Sequence, residues 1–322
     1  MTEAAAASRV RLSILAWNQY TSWPSLQRVG ATVEHLGFDG LWSWDHLYPI
    51  NGSPDGPIFE AYLTLAGWAA VTERIPLGLM VGANTFRNPA LVAKMVTTLD
   101  HMSGGRMVAG LGGAWFESEH EDFGLDFGSG IGERLDWLDE AVMIVRGMLD
   151  GARPSGRARY AVHEVLNEPP PLQAHVPIMI GGGGEKKTLA TVARHADIWN
   201  VDGDVETIRH KDEVLRRWCA ELGRDEAEIE RMLGGGAVVV RRTEAEAREV
   251  VAEIRRVNEG YDDGPELVGT PESVAARLAP YLELGFRHFD FDYPAPFDLE
   301  TLELLGTDVR ALLDARLAEI RG

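Results

Sequence analysis

Short apolar runs alternate with longer amphipathic patterns along the chain, and this alternation limits the possible folds more than any other feature. Eight runs have the length of a strand: RVRLSILAW, DGLWSWD, IPLGLMVGA, RMVAGLGG, VPIMIGG, DIWNVDG, AVVVR and FRHFDFDY. The stretch 132–150 has apolar residues three or four positions apart, as on one face of a helix. Strand–helix alternation implies parallel strands, and eight such units predict an α/β fold of the (β/α)8 TIM barrel type. A doubly wound open sheet is the alternative.

The chain contains no low-complexity linker, so we expect one barrel domain over residues 1–322. Three segments rich in glycine and proline, 51–57, 124–132 and 151–177, interrupt the alternation. We expect them to be loop insertions on the C-terminal face of the barrel.

The charge balance excludes several classes of partner. Fifty acidic and 31 basic residues give a net charge of −19, which would repel nucleic acid and an anionic membrane surface.

The single cysteine, Cys219, rules out an intramolecular disulfide. The start of the chain, MTEAAAASRV, does not have the pattern of a signal peptide, and no apolar run reaches 18 residues. We therefore expect a cytoplasmic protein that acts on a small molecule, and any anionic ligand needs a local site.

Residues 178–188, IMIGGGGEKKT, carry four consecutive glycines between a strand pattern and a helix pattern. Lys186 stands where a P-loop or a dinucleotide fingerprint begun at Gly181 needs glycine, so neither motif applies. A glycine-rich turn still exposes backbone N–H groups at a helix N-terminus, where the helix dipole favours an anion. A run that only permits a tight turn is the alternative. Lys186 and Lys187 add positive charge and favour the anion, so we expect a phosphate-bearing ligand here.

The stretch LWSWDHLYP (41–49) places Asp45 and His46 at the C-terminal end of the second strand, where TIM barrels carry catalytic residues. Histidine can exchange a proton near neutral pH. A histidine that caps a loop is the alternative. After the fourth strand, Gly110, Gly112 and Gly113 indicate either close approach of a ligand or a bend of the barrel.

The eighth strand, FRHFDFDY, places His288, Asp290 and Asp292 on one face. Histidine and aspartate in alternation can form a metal site. The chain has no His-x-His pair and no second ligand cluster, so a polar barrel mouth is the favoured interpretation and no metal is expected.

Three segments, LWSWDH, NTFRNPALVAKMVTTLDHMSGGRMVAGLGGAWFESEHEDFG and IMIGGGGEKKTLATVARHADIWN, occur in this order along the chain. Together they resemble the luciferase-like flavin and deazaflavin oxidoreductases. The closing stretch GTPESVAARLAPYLELGFRHFDF is similar to the last helix and strand of that family, so the resemblance covers essentially the whole chain. It implies a (β/α)8 barrel that binds a ring cofactor at its C-terminal face.

The resemblance also implies roles for individual residues. Asp45 and His46 would flank the redox ring, with His46 as the proton donor or acceptor. A cis peptide between Met80 and Val81 would back the ring, and Asn84 would contact its polar edge. The remaining cofactor-binding positions that it implies lie in two glycine-rich turns, the second of which would hold the phosphate: Gly112, Trp115, Gly181, Gly182 and Gly183.

The choice of cofactor follows from the same resemblance. The GxGxxW turn, WDH and GGGGEKK are most similar to the branch that uses the deazaflavin coenzyme F420, which implies hydride transfer to or from an organic substrate. The alternative is an FMN-dependent monooxygenase that uses O2. The sugar-phosphate dehydrogenases of the deazaflavin branch carry glutamate where this chain has Gly113, which argues against glucose 6-phosphate. Trp17, Tyr20, Trp44 and Trp115 favour an apolar or aromatic substrate pocket.

Partners and other functional classes complete the expectations. The resemblance implies a homodimer packed through early barrel helices, and the apolar stretch FEAYLTLAGWAAV (59–71) permits such an interface. The FMN alternative implies a separate flavin reductase, and an F420 reductase is the corresponding partner for the deazaflavin. A metal-dependent hydrolase that uses Asp45, His46 and the eighth-strand acids is a third class, and a non-catalytic cofactor carrier is a fourth.

Overall fold

A computed structural model describes residues 9–262 and 264–321; residues 1–8, which bear on the signal-peptide expectation, lie outside the described residues. The strands are β1 (Arg11–Ala16), β2 (Gly40–Ser43), β3 (Leu77–Leu79), β4 (Gly82–Ala83), β5 (Met107–Gly112), β6 (Ile178–Gly181), β7 (Ile198–Val201), β8 (Glu230–Val240), β9 (Leu267–Gly269) and β10 (His288–Tyr293). The helices are α1 (Trp23–His35), α2 (Ala61–Ala69), α3 (Pro89–Ser103), α4 (Glu117–Phe123), α5 (Ile131–Leu149), α6 (Thr188–His195), α7 (Val205–Leu222), α8 (Glu244–Val257), α9 (Pro271–Glu283), α10 (Leu299–Leu304) and α11 (Arg310–Arg321).

The strands form a closed parallel barrel. They pair in the order β10-β1-β2-β3-β5-β6-β7-β8, and β8 pairs with β10 to close the ring. The short β4 follows β3 and pairs with β5, and β9 pairs only with the end of β8. The prediction of a (β/α)8 TIM barrel is confirmed, and the open sheet is excluded because β10 has neighbours on both sides.

Side chains alternate between the two faces of the barrel wall, as a strand requires. In β1, Leu12 and Ile14 are fully buried in the layer between strands and helices, whereas Ser13 points into the barrel and contacts Asp290. Helix α3 shows how the sequence sets an element boundary. The Asn88 side chain caps its first turn, and Gly104, at φ +70°, ends it in a left-handed conformation.

The structure differs from the sequence interpretation in two places. Strand β8 begins at Glu230, well before the predicted AVVVR, because the glycines at 234–236 hide its apolar pattern. Of the three predicted loops, 51–57 and 124–132 lie in connections that leave the C-terminal ends of strands, although residues 131–132 already belong to α5, whereas 151–177 joins α5 to the start of β6. That third loop therefore starts and ends on the opposite face of the barrel. Within the described residues, no helix has the length and apolar character needed to cross a membrane.

Candidate active site

The C-terminal ends of the strands surround a cavity of about 570 Å³. Residues from β4, β5, β6, β7 and β10 and from the segments that follow β2 and β3 line it, so the cavity lies at the barrel end where TIM barrels bind substrates. It brings together most of the positions implied by the resemblance: Asp45, His46, Met80, Val81, Gly112, Trp115, Gly181, Gly182 and Gly183.

His46 lines the cavity and is held by a glutamate of helix α4. Its Nδ1 atom is 3.0 Å from Oε1 of Glu119 and 3.3 Å from Oε2. An ionised carboxylate only accepts hydrogen bonds, so this contact places a proton on Nδ1 and leaves Nε2 for exchange with a substrate. Nε2 has no hydrogen-bond partner within residues 9–262 and 264–321.

Glu119 was not singled out by the sequence. Its side chain is 1% exposed, and Oε2 also accepts the N–H of Leu47 at 2.9 Å, so the carboxylate is fixed in place. It belongs to α4, whose sequence ESEHEDF offers several acidic residues at close spacing. The acidic loop was visible in the sequence, but only the fold shows which carboxylate meets His46 across 73 positions of the chain.

Asp45 lies in the cavity wall, where its carboxylate is bound by the protein itself. Arg87 donates to Oδ2 at 2.6 Å and to Oδ1 at 3.1 Å, and the N–H of Ala83 donates to Oδ2 at 3.0 Å. Arg87 also donates to Glu60 at 2.7 Å. The Asp45 carboxylate therefore links the segment after β3 to the end of β2. Its contacts favour a structural role over proton transfer.

The peptide between Met80 and Val81 is cis, as the resemblance implied. Val81 lies between two strand-end glycines. An ideal Cβ on Gly112 would stand 2.5 Å from Cγ2 of Val81, and one on Gly181 would stand 2.8 Å from the same atom. At Gly110, a Cβ would stand 1.7 Å from the carbonyl oxygen of Leu79. Glycine is thus required at these positions by the bulge of the third strand, whether or not a ligand is present.

The glycine turn after β6 offers donors for an anion at the opposite side of the cavity. The N–H of Gly182 is already bound to the carbonyl of Asn200 at 3.0 Å, whereas those of Gly183 and Gly184 have no acceptor within the described parts of the chain. Thr188, the first residue of α6, also lines the cavity. The geometry therefore fits a phosphate on Gly183 and Gly184 and makes Gly182 a poorer donor than expected.

The two lysines of the turn do not line this cavity. Lys187 binds both oxygens of Asp136 at 2.7 Å and the carbonyl of Gly132 at 2.8 Å, and Lys186 lines a neighbouring cavity. The cation beside the turn is instead Lys211 of α7, whose Nζ donates to the carbonyl of Gly183 at 2.7 Å. The sequence could not identify Lys211, which lies 28 positions away.

The other predicted residues are placed as follows. Asn84 is not among the residues that line the cavity; its amide bonds to the carbonyl of Gly112 (2.7 Å) and the N–H of Leu138 (3.1 Å) in the orientation that satisfies both groups. Trp44 lines the cavity, and Trp115, 61% exposed, forms its rim. Trp17 is buried behind Trp44 at a ring distance of 4.8 Å, outside the cavity lining.

Two further carboxylates line the cavity, Asp202 directly after β7 and Asp292 in β10. Burial raises the pKa of Asp292 to about 7, and the charges of Glu266 and Asp202 act in the same direction. Asp292 therefore titrates near neutral pH. No group of three or more His, Cys, Asp or Glu residues suited to a metal occurs within the described residues.

A polar chain crosses the barrel interior beneath the cavity. His288 Nδ1 lies 2.8 Å from Glu230 and Nε2 lies 3.0 Å from the hydroxyl of Ser13, which in turn lies 2.8 Å from Asp290. Burial alone would raise the pKa of Glu230, but the hydrogen bond to His288 and the charge of Arg11 hold it at about 2. Burial lowers the pKa of His288, although the hydrogen bond to Glu230 acts in the opposite direction, and the imidazole links two partners in the interior.

Comparison with known proteins identifies relatives that carry out two kinds of chemistry. The family model described as luciferase-like monooxygenase matches residues 11–263. An uncharacterised protein of Mycobacterium tuberculosis is 30% identical over 191 residues, which span 55% of this chain and 64% of the relative. This chain thus matches less than two thirds of that relative. The F420-dependent glucose-6-phosphate dehydrogenase of Microbacterium testaceum is 26% identical over 318 residues, covering 90% of this chain and 93% of the relative.

Solved structures with the same fold also divide between two cofactors. An F420-dependent secondary alcohol dehydrogenase in complex with an F420–acetone adduct superposes with a TM-score of 0.80 at 16% identity, over 95% of this chain and 99% of the other. The oxygenating constituent of 3,6-diketocamphane monooxygenase of Pseudomonas putida, in complex with FMN, superposes with a TM-score of 0.74 at 16% identity, over 94% and 98% of the two chains. At such low identity these similarities establish the fold alone.

Proposed function

We propose that this protein, which belongs to the luciferase-like monooxygenase family, is a coenzyme F420-dependent oxidoreductase that transfers a hydride between the deazaflavin and a small apolar or aromatic organic substrate. The observation that carries the proposal is the arrangement of two groups at one cavity. The His46–Glu119 pair offers a proton-exchanging nitrogen, and the free N–H groups of Gly183 and Gly184 offer an anion site.

Different residues of this chain bind the cofactor and transfer the proton. Bound F420 supplies a ring carbon that accepts or gives a hydride. Gly183 and Gly184 would hold the phosphate, and Val81 would support the ring. Nε2 of His46 takes the proton from a substrate hydroxyl during oxidation and returns it during reduction. Glu119 stabilises the imidazolium that forms, since it is fixed at 3.0 Å from Nδ1.

Trp44 and Trp115 shape the part of the cavity next to His46. The ring of Trp115 lies 5.4 Å from that of His46, and the ring of Trp44 lies 6.2 Å from it. Aromatic walls favour a carbon-rich substrate and keep water from the reacting carbon. The substrate class follows from these two walls together with the absence of a carboxylate at Gly113.

An FMN-dependent monooxygenase is the second candidate. It is favoured by relatives such as the pyrimidine monooxygenase of Cronobacter sakazakii, which is 31% identical over 167 residues covering 51% of this chain and 45% of the relative. The same glycine turn would hold the FMN phosphate. This function would need O2 and a separate flavin reductase, so substrate-dependent oxygen uptake distinguishes it from hydride transfer.

Parallel titration of the apoprotein with F420 and FMN, followed by quenching of each cofactor's fluorescence, tests the assignment. We expect selective, tight binding of F420. Each protein–cofactor complex is then assayed against alcohols in the oxidising direction and against ketones and enones in the reducing direction, with dissolved oxygen recorded. Selective binding of FMN with substrate-dependent oxygen uptake would replace the proposal by the second candidate, and binding of neither would refute both.

We also propose that the chain forms a homodimer through helices α2 and α3. Leu63 of α2 is 69% exposed, and Leu91 and Met102 of α3 are 52% and 51% exposed. Exposed apolar side chains on adjacent barrel helices are typical of an interface between copies. Sedimentation equilibrium of the purified chain tests the proposal, and a monomer at micromolar concentration would refute it.

A further inference from the structure

Carboxylates dominate the charge of the active-site cavity. Among the residues that the structure describes, neither lysine nor arginine lines it. Four acidic side chains do so: Asp45, Glu119, Asp202 and Asp292. The first is paired with Arg87 and the second with His46. Asp202 and Asp292 have no cationic partner within residues 9–262 and 264–321, so the cavity contains two carboxylates that the protein does not neutralise.

These two carboxylates lie on either side of strand β8. Asp202 directly follows β7, Asp292 lies in β10, and both strands pair with β8. The intervening part of β8 consists of three glycines, 234–236. An ideal Cβ on Gly234 would stand 3.5 Å from Cβ of Asp202, and Asp292 pairs with Ala237, just past the glycines. Because glycine has no side chain, this stretch of the wall is bare and leaves room for a ligand group between the carboxylates.

The electrostatic field at this wall favours a cation. Burial raises the pKa of Asp292 to about 7, and the charges of Glu266 and Asp202 add to the shift, whereas the indole of Trp17 opposes it. Glu266 is fixed nearby, since its Oε2 accepts the N–H of Ala237 at 2.7 Å. Three carboxylates therefore act on the same space. A cation placed beside Asp292 would relieve their repulsion.

An unused donor independently indicates that the cavity accommodates a ligand. Trp44 lines the cavity and is 5% exposed, and its indole N–H has no acceptor in the described part of the chain. Buried polar groups are normally hydrogen-bonded, so an acceptor atom of a ligand would complete this site. The ring of Trp44 packs on that of Trp17 at 4.8 Å. Indole faces also attract ammonium groups, which matches the charge of the bare wall.

We propose that the substrate carries a protonated amino group and that this group binds between Asp202 and Asp292. An ammonium has three donors and no acceptor, so it can serve both carboxylates. The inference deepens the proposed function and rests on it in taking the occupant of this space to be the substrate. The substrate class is then an aromatic or apolar amine that also contains the alcohol or carbonyl group on which His46 acts.

The experiment compares three probes of similar size and different charge: phenethylamine, phenethyl alcohol and phenylacetate. Calorimetric titration measures their dissociation constants, first without added cofactor and then with F420. Physiological salt suppresses the unspecific attraction of a cation to a protein with a net charge of −19. The variant is Asp202→Asn/Asp292→Asn. The matched control, Glu221→Gln/Glu249→Gln, removes the same charge from exposed positions on α7 and α8.

We expect the wild-type protein and the control to bind phenethylamine about tenfold more tightly than phenethyl alcohol, with phenylacetate the weakest, because hydrogen bonds to charged groups contribute that much. The double variant should bind the amine and the alcohol equally, and Asp292→Asn alone should give an intermediate preference. Equal binding of amine and alcohol by the wild-type protein overturns the inference. An amine preference that survives in the double variant, or that is lost in the control, overturns it as well.

The two proposals can fail separately. The amine preference is measured without cofactor, so a protein that prefers the amine but does not bind F420 refutes the proposed function and leaves the amine site for the substrate of another reaction. A protein that binds F420 but shows no amine preference keeps the proposed function and loses the inference.

Discussion

His46 and His288 each lie beside a glutamate, at 3.0 Å and 2.8 Å, yet the two pairs are surrounded very differently. His46 borders a cavity at the C-terminal face, and among the residues that the structure describes only its Nδ1 has a partner. His288 is fully buried in the barrel interior, and both of its nitrogens are bound. A histidine–carboxylate pair therefore indicates acid–base catalysis only where one ring nitrogen is free and borders a cavity for a ligand.

The same difference separates the acids of β10. Asp290 lies in the interior and contacts Ser13, whereas Asp292, two residues further along, lines the cavity. Asp290 is therefore held by a neighbouring side chain of the interior, whereas Asp292 lies beside space for a ligand. Four substitutions test this division, in order of decreasing expected effect.

Replacing His46 by alanine should lower turnover by about 10²- to 10⁴-fold, because general acid–base catalysis contributes that much. Cofactor affinity and the free energy of unfolding should stay within about 1 kcal/mol of wild type, since the side chain borders a cavity. Steady-state kinetics, cofactor titration and urea denaturation measure the three quantities. His175→Ala, which removes an exposed histidine paired with Asp197, is the control. A parallel loss of turnover, binding and stability would make His46 structural.

Replacing His288 by alanine should have the opposite profile. It removes one partner from the Glu230 carboxylate, which keeps Arg11, and one from the Ser13 hydroxyl, which keeps Asp290, and it opens a cavity in the interior, so the free energy of unfolding should fall by about 3 kcal/mol. Urea denaturation measures the loss, again with His175→Ala as the control. Unfolding at the wild-type urea concentration would show that this pair stabilises nothing and would remove the basis of the comparison.

Replacing Glu119 by glutamine should lower turnover by about tenfold to a hundredfold while KM changes little, because His46 stays in place but loses the charge that stabilises its protonated form. Glu119→Asp, which keeps the charge, should restore part of the turnover. Wild-type turnover in the glutamine variant would mean that Glu119 only supports the segment of Leu47.

Replacing Asp292 by asparagine should have the smallest effect, a change in the free energy of unfolding that varies with pH. The pKa of about 7 in the folded protein lies above the ordinary value of 3.8, so the aspartate favours folding below about pH 4 and loses this contribution as pH rises through 7. The variant should therefore gain stability relative to wild type between pH 4 and 8, on the order of 1 kcal/mol because the side chain is partly exposed. Urea denaturation across this range measures it. Asp55→Asn is the control, and a constant difference at all pH values would contradict the prediction.

The sequence by itself determined the barrel fold, the face of the barrel that carries the site and one of the site's backbone features. Apolar periodicity is a local property, so the alternation of strands and helices predicted the (β/α)8 fold, and the C-terminal ends of the strands predicted the face that carries His46 and the glycine turn. Matching of motifs located the Met80–Val81 cis peptide, which is present.

Only the tertiary structure decided which side chains meet. Glu119 reaches His46 from 73 positions away. Lys211 reaches the glycine turn from 28 positions away, whereas the sequence favours Lys186 and Lys187, which follow the turn directly, as the cations beside the ligand. The glycine pattern hid the start of β8, and the alternation along β10 did not reveal that Asp290 is buried while Asp292 lines the cavity. The reason is physical: spacing along one strand or helix fixes the direction of a side chain, but its partner belongs to another element, and closure of the barrel sets the distance between them.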